Sequence, residues 1–170
     1  MVEYKGDATD VVIPDGITAI NSRAFYENDA IRMVFIPASA KSIGDYAFYK
    51  CYSLTSVAFD GDSQLTTIGN HAFCNCYSLT SIIIPDSVTT IGDSAFESCR
   101  SLTSIVIPDS VTTIGRYAFA YCKSLTSIVI PDSVTTIGEG AFYYCTKLII
   151  VCFTGTEEEW NAISIGTDNG

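Results

Sequence analysis

The single histidine of the chain, His71, opens the segment His-Ala-Phe-Cys-Asn-Cys, so His71, Cys74 and Cys76 form an H-x-x-C-x-C set. Imidazole and thiolate groups at such spacing are ligands for zinc, but a closed tetrahedral site takes four and this stretch offers three. A second candidate is the series Asp15, Asp86, Asp109 and Asp132, each directly after a proline. Stacked carboxylates can bridge calcium. Each can equally accept backbone N–H groups just ahead of it and close its own turn, and that is the reading adopted. The third candidate is a set of seven cysteines, an odd number that leaves at least one thiol unpaired within the chain. No Ser-His-Asp set, nucleophile elbow or phosphate loop accompanies His71, whose plain reading is a surface side chain. The expectation is no catalytic residue, no bound metal and no cofactor.

The elements that must position these residues are written repeatedly. SLTSIVIPDSVTTIG occupies residues 101 to 115 and returns at 124 to 138, and with one Val-to-Ile change it also stands at 78 to 92. Equivalent apolar residues before the turn are Ile13, Ile36, Phe59, Ile84, Ile107, Ile130 and Phe153, at steps of 23, 23, 25, 23, 23 and 23. A fixed period of this size marks a solenoid. The longer step comes from two extra residues in FDGDSQLTTIG, which places the insertion in a turn. Such a chain offers the same groups along a line, whereas catalysis needs different groups at one point.

One unit reads L-x-x-I-x-I-P-x-x-V-x-x-I-G-x-x-A-F-x-x-C. The first part alternates as a short strand does, with Leu and Ile pointing inward. Proline has no N–H to give to a ladder, so Pro-Asp-Ser is a turn. V-T-T-I is a second extended piece, Gly115 and its equivalents bend the chain, and A-F-x-x-C is expected as one helical turn. A single coil cannot bury its apolar side, so stability must come from stacking neighbours.

L-x-x-I-x-I belongs to the leucine-rich-repeat pattern, but here Cys precedes the Leu, as in Cys122-Lys-Ser-Leu125 and Cys76-Tyr-Ser-Leu79. The form I-P-x-S-V-T-x-I-G-x-x-A-F-x-x-C-x-S-L closely resembles the BspA-like leucine-rich repeats over residues 8 to 153, and the tail from Tyr144 to Gly170 looks like the way such proteins end. The resemblance implies a single right-handed, β-dominated solenoid over 1–170, with a leader at 1–7, repeats at 8–153 and a partial C-terminal cap at 154–170. About seven stacked strands, short helical turns and a cap helix are expected. Thr156 and Glu159 form a capping box at the start of that helix, which should turn Trp160 and Ile163 toward the last coil. Known members are mainly surface proteins of mucosal microbes, several of them adhesins. An extracellular or cell-surface module that binds a host or microbial protein or glycan is therefore implied, without naming a ligand. The alternative is a structural spacer that displays another domain and binds nothing itself.

Stacking sets equivalent residues side by side, about 4.8 Å apart. Two outward columns on the concave sheet result. One runs Asp10, Met33, Ser56, Ser81, Ser104, Ser127, Ile150; the other runs Val12, Phe35, Ala58, Ile83, Val106, Val129, Cys152. The expected binding face is Arg32, Met33, Phe35, Ser56, Ala58, Ser81, Ile83, Ser104, Val106, Ser127 and Val129, with Met33 and Phe35 departing most from the repeat. Three readings stand for its apolar column: a docking surface, strand propensity, or weak self-association. The tyrosines after A-F, including Tyr26, Tyr49, Tyr121, Tyr143 and Tyr144, form a weaker candidate on the turn edge.

Cys51, Cys76, Cys99, Cys122 and Cys145 share one column, with Asn28 in that place in the first coil, while Cys74 and Cys152 lie outside it. Parallel Cα–Cβ vectors keep neighbouring members too far apart for a bridge, so buried free thiols are expected. Nineteen acidic against nine basic residues give a net charge of −10, which disfavours nucleic acid and anionic membrane surfaces as partners. The longest apolar run, residues 148 to 153, is too short to insert in a membrane as a helix.

Overall fold

The structure, a computed structural model, describes residues 8–169; the leader at 1–7 lies outside them. In chain order the elements are β1 (Asp10–Val12), β2 (Ala19–Ile20), β3 (Met33–Ile36), β4 (Ser42–Ile43), β5 (Ser56–Phe59), β6 (Thr67–Ile68), β7 (Ser81–Ile82), β8 (Thr90–Ile91), β9 (Ser104–Val106), β10 (Thr113–Ile114), β11 (Ser127–Ile130), β12 (Thr136–Ile137), β13 (Ile150–Phe153), α1 (Glu157–Ala162) and β14 (Ser164–Ile165). The L-x-x-I-x-I segments and their counterparts give the odd-numbered strands, and V-T-T-I and its counterparts the even ones up to β12. All pair in parallel, each with its equivalent one coil away. The chain is thus a β-solenoid. The seven expected strands on the first face form two ladders, β1-β3-β5-β7 and β9-β11-β13, while the second face is one seven-stranded sheet ending in β14.

The inward positions are closed off from solvent: Ile31, Val34, Ile36, Ala40, Ile43, Ala47 and Phe48 of one coil are fully buried, and the next coils repeat the pattern. The phenylalanines stack into one column, Phe25, Phe48, Phe73, Phe96, Phe119 and Phe142, with ring centroids 4.9 to 5.8 Å apart and planes within 8° of parallel. This spacing is the coil-to-coil rise, so the repeat period alone places the rings.

Three local expectations change. The glycine after V-T-T-I does not bend the chain by its conformational freedom. Gly44, Gly69, Gly92, Gly115 and Gly138 all have φ outside the left-handed region, and a Cβ on Gly115 would lie 2.5 Å from the backbone carbon of Gly92 and 2.6 Å from the nitrogen of Asp93. Glycine stands there because the coils touch through their backbones, and its N–H donates to the preceding coil, as Gly115 does to the carbonyl of Ile91 at 3.0 Å. The proline turns are tied by serine instead of aspartate: Ser87 Oγ donates to the carbonyls of Ser63 and Leu65, and Ser133 Oγ to that of Val111. Asp15, Asp86, Asp109 and Asp132 are exposed, and their carboxylates accept no hydrogen bond among the described residues.

The A-F-x-x-C segments are not helical. Each is a run of turns in which two residues four apart take positive φ: Arg23 and Glu27, Tyr46 and Lys50, His71 and Asn75, Ser94 and Ser98, Tyr117 and Tyr121. A side chain there costs about 1 kcal/mol or more per residue. The compensation is visible in all ten: the N–H of each donates to a carbonyl of the following coil, from Arg23 to Asp45 through to Tyr121 to Tyr143. The phenylalanine between each pair donates the same way, as Phe48 does to the carbonyl of Ala72 at 2.8 Å, so the whole turn run is tied to the next coil.

The C-terminal tail packs on the last coil. Thr156 Oγ1 accepts from the Glu159 N–H at 3.2 Å while Glu159 Oε2 accepts from the Thr156 N–H at 2.8 Å, so the capping box opens α1 as read from the sequence. Trp160 meets Phe153 edge-on at 5.4 Å, and Ile163 also packs on the core. Beyond the helix, β14 adds a strand to the second sheet and Asn169 accepts the N–H of Phe142, so the tail imitates part of a further coil. Ile149, Ile150 and Val151 stay 82, 50 and 49% exposed, so this cover is partial.

Candidate binding face

The two outward columns of the first sheet have the register read from the repeat: Met33 faces Ser56, Ser56 faces Ser81, Phe35 faces Ala58, and Val106 faces Val129. Thr55, Thr80, Thr103 and Thr126, just before these strands, are committed internally, each hydroxyl donating to a carbonyl of the previous coil. The next residues, Ser56, Ser81, Ser104 and Ser127, make no side-chain hydrogen bond among the described residues. Their hydroxyls remain available to a ligand. Arg32, Met33, Ala58, Ser81, Ile83, Ser104 and Val106 are exposed, whereas Phe35, Ser56, Ser127 and Val129 are half-buried.

The face is interrupted where sequence reading put only a turn insertion. β5 and β7 pair through Ser56–Ser81 and Val57–Ile82 and then separate, and no ladder joins β7 to β9. The two extra residues lie in the turn that follows β5. Ile83, which in strict register would face Ala58, instead stands 85% exposed between two depressions. One, of about 470 Å³, reaches Ala58, Asp60, Ser81 and Asp86. The other, of about 350 Å³, reaches Ser104, Val106 and Pro108. The most projecting apolar group is therefore Ile83, ahead of Met33 and Phe35, and the 25-residue step was the signal that could have found it.

The candidate metal set disperses. His71 stacks on Tyr46 at 4.6 Å with Nδ1 buried and unpartnered; Cys76 Sγ donates to the Phe48 carbonyl; Cys74 lies beside Asn75 and Glu97. Among the described residues no group of three or more His, Cys, Asp or Glu is placed to hold an ion. All seven cysteines are unpaired. The column thiols are more than fillers: Cys51, Cys76, Cys99, Cys122 and Cys145 each donate to the carbonyl of the preceding coil's phenylalanine, at 3.0 to 3.3 Å. Burial pushes Cys51 up to about 12 and Cys145 to about 11, and Cys76, Cys99 and Cys122 well above the usual thiol range, so all five stay protonated donors. Among the described residues no helix is long and apolar enough to cross a membrane.

Stacked parallel coils with this Leu/Ile lattice define a leucine-rich-repeat solenoid. The model of the BspA type leucine rich repeat region matches residues 3–67 and 66–164, with six copies, and the chain belongs to that family. It is similar to a solved leucine rich repeat protein of T. pallidum, 32% identical over 97% of this chain and 76% of that one, with a TM-score of 0.87. A leucine rich cell surface protein of Faecalibacterium prausnitzii is 26% identical over 91% of this chain and 62% of its own, TM-score 0.51. A leucine-rich repeat protein of Bacteroides ovatus, 24% identical over 93% of this chain and 59% of its own, shares the fold at a TM-score of 0.53. The chain thus spans about six-tenths of the latter two. No curated protein sequence matches.

Proposed function

We propose that this chain is the binding segment of an extracellular or cell-surface protein, and that it docks a protein or glycan on the first-sheet face. The observation that carries the reading is the unpartnered apolar line on that face, where Val12, Met33, Ile83 and Val106 are 71, 43, 85 and 64% exposed beside serine hydroxyls with no internal partner. Surface placement is supported by the F. prausnitzii relative, which is described as a cell surface protein. A docked apolar side chain would displace water from Ile83 and its two depressions, while the serines would bond polar groups at the rim.

The test is a binding screen of the purified chain against immobilised extracellular-matrix proteins and mucin glycans, repeated with Met33→Ser, Phe35→Ser and Ile83→Ser. A hit should weaken by ~2 kcal/mol or more in the triple variant if these are its anchors, and should be unchanged by Thr90→Ser and Thr113→Ser on the opposite sheet. A hit indifferent to the triple variant overturns the assignment to this face. The near-identity of three consecutive coils favours a second reading, a spacer without a ligand, and a screen with no hit would favour it.

A further inference from the structure

The turn edge, opposite in role to the sheet faces, is where the protein satisfies its own cations with its own tyrosines. The Arg23 guanidinium lies 5.7 Å from the Tyr26 ring and 5.6 Å from Tyr46; Lys50 sits over Tyr49 at 5.2 Å, Arg100 over Tyr77 at 4.3 Å, and Lys123 over Tyr144 at 5.4 Å. In one place the same chemistry is set out without a cation. Tyr117, Tyr121 and Tyr143, with Glu97 and Asp168, line a cleft of about 470 Å³. Among the described residues none of those three rings carries a cation, and neither carboxylate has an ion-pair partner. Of the neighbouring bases, Arg116 is taken by Glu139, to which Tyr117 also donates its hydroxyl, and Lys123 lies over Tyr144, the ring that adjoins Tyr121 and Tyr143. Among the described residues the Glu97 carboxylate accepts one long contact, from the Cys74 thiol at 4.0 Å.

We infer that this cleft is a binding site for an arginine side chain presented by a partner protein. Two unneutralised carboxylates beside three aromatic walls favour an organic cation. A guanidinium fits better than an ammonium because it is planar, stacks on a tyrosine face and keeps its N–H fork free for a carboxylate. Tyr121 and Tyr143 meet at 83° and 5.5 Å, so a plate laid on one ring is bounded by the other. The carboxylates of Glu97 and Asp168 supply the acceptors, and charge-assisted bonds of this kind are the strong ones. The chain's net charge of −10 draws basic partners toward it from a distance. The site is separate from the first-sheet face and does not depend on it.

The experiment is an NMR titration of the full chain with N-acetyl-Gly-Arg-Gly-amide, observing the tyrosine ring resonances, against the same peptide carrying citrulline, which keeps the shape and loses the charge. The arginine peptide should give saturable shifts at Tyr117, Tyr121 and Tyr143, and citrulline should bind about tenfold more weakly or not at all. The double variant Glu97→Gln, Asp168→Asn should lose a similar factor. Tyr121→Asn should do the same while folding normally, since asparagine accepts the φ of 59° at that position. Met33→Ser should leave the titration unchanged, which separates this site from the sheet face. Absence of saturable shifts, an equal response to citrulline, or a response untouched by the Glu97/Asp168 double variant would each overturn the assignment.

Discussion

Gly115→Ala is the most direct test of how the coils are held. A Cβ at Gly115 would meet the Gly92 carbon at 2.5 Å, its carbonyl oxygen at 2.6 Å and the Asp93 nitrogen at 2.6 Å, all of them backbone and none able to rotate away. Normal contact needs close to another ångström, so the fourth and fifth coils must part. Of the bonds that join these coils, two are made by Gly115 and its neighbour and are the first to be strained, Gly115 N–H to the Ile91 carbonyl at 3.0 Å and Arg116 N–H to Asp93 Oδ1 at 2.8 Å. Overpacking costs ~1 to 3 kcal/mol and each lost bond ~0.5 to 1.5 kcal/mol, so the variant should lose about 2 to 6 kcal/mol. Gly61→Ala is the matched control: its Cβ meets nothing within 4 Å and its φ is outside the left-handed region, so alanine should stabilise by ~0.4 to 1 kcal/mol through the unfolded chain. Urea unfolding followed by far-UV circular dichroism measures both, since Trp160 reports only the C-terminal end. If Gly115→Ala behaves like Gly61→Ala, the coils are not in backbone contact and the reasoning fails.

The thiols provide three further checks. Iodoacetamide at pH 8 should label the exposed Cys152 of the native protein quickly and the column cysteines slowly, with mass spectrometry counting all seven only after denaturation. Stability should be full below about pH 9, where thiols of the unfolded chain begin to ionise, and should fall as pH rises toward 12, because burial raises the folded-state pKa of Cys51 and Cys74 to about 12; an unfolding midpoint that is flat over this range would contradict the buried donors. Cys99→Val should cost about 1 kcal/mol or more by depriving the Phe73 carbonyl of its second donor, and a neutral result by urea titration would return the column to the role of filler.

The repeat itself determined most of this protein. The 23-residue period dictated which residues stack, so the pairings Met33–Ser56 and Val106–Val129, the cysteine column, buried from Cys51 to Cys122 and half-buried at Cys145, and the capping box at Thr156 could be read from spacing and residue type. These depend on local alternation and on translation along one axis, and both are written in the chain. What only the tertiary structure decided are the features that arise between coils. Tyr46, His71, Ser94 and Tyr117 carry no sequence mark of a left-handed backbone, which glycine or asparagine would have signalled. In the folded stack their N–H groups bond carbonyls of the next coil, a partner that no local reading of the sequence displays. Gly115 read as a bend because a glycine's usual meaning is local, whereas its reason lies in Gly92 one coil away. Ile83 is a further case: two residues are added to the turn after β5, the ladder ends at Val57–Ile82, and the outward side chain beyond it is the most exposed large apolar group of its column. The Tyr117–Tyr121–Tyr143 cleft likewise exists only because Glu97 and Asp168, far apart in sequence, are brought to one edge by the stacking of coils and the return of the tail.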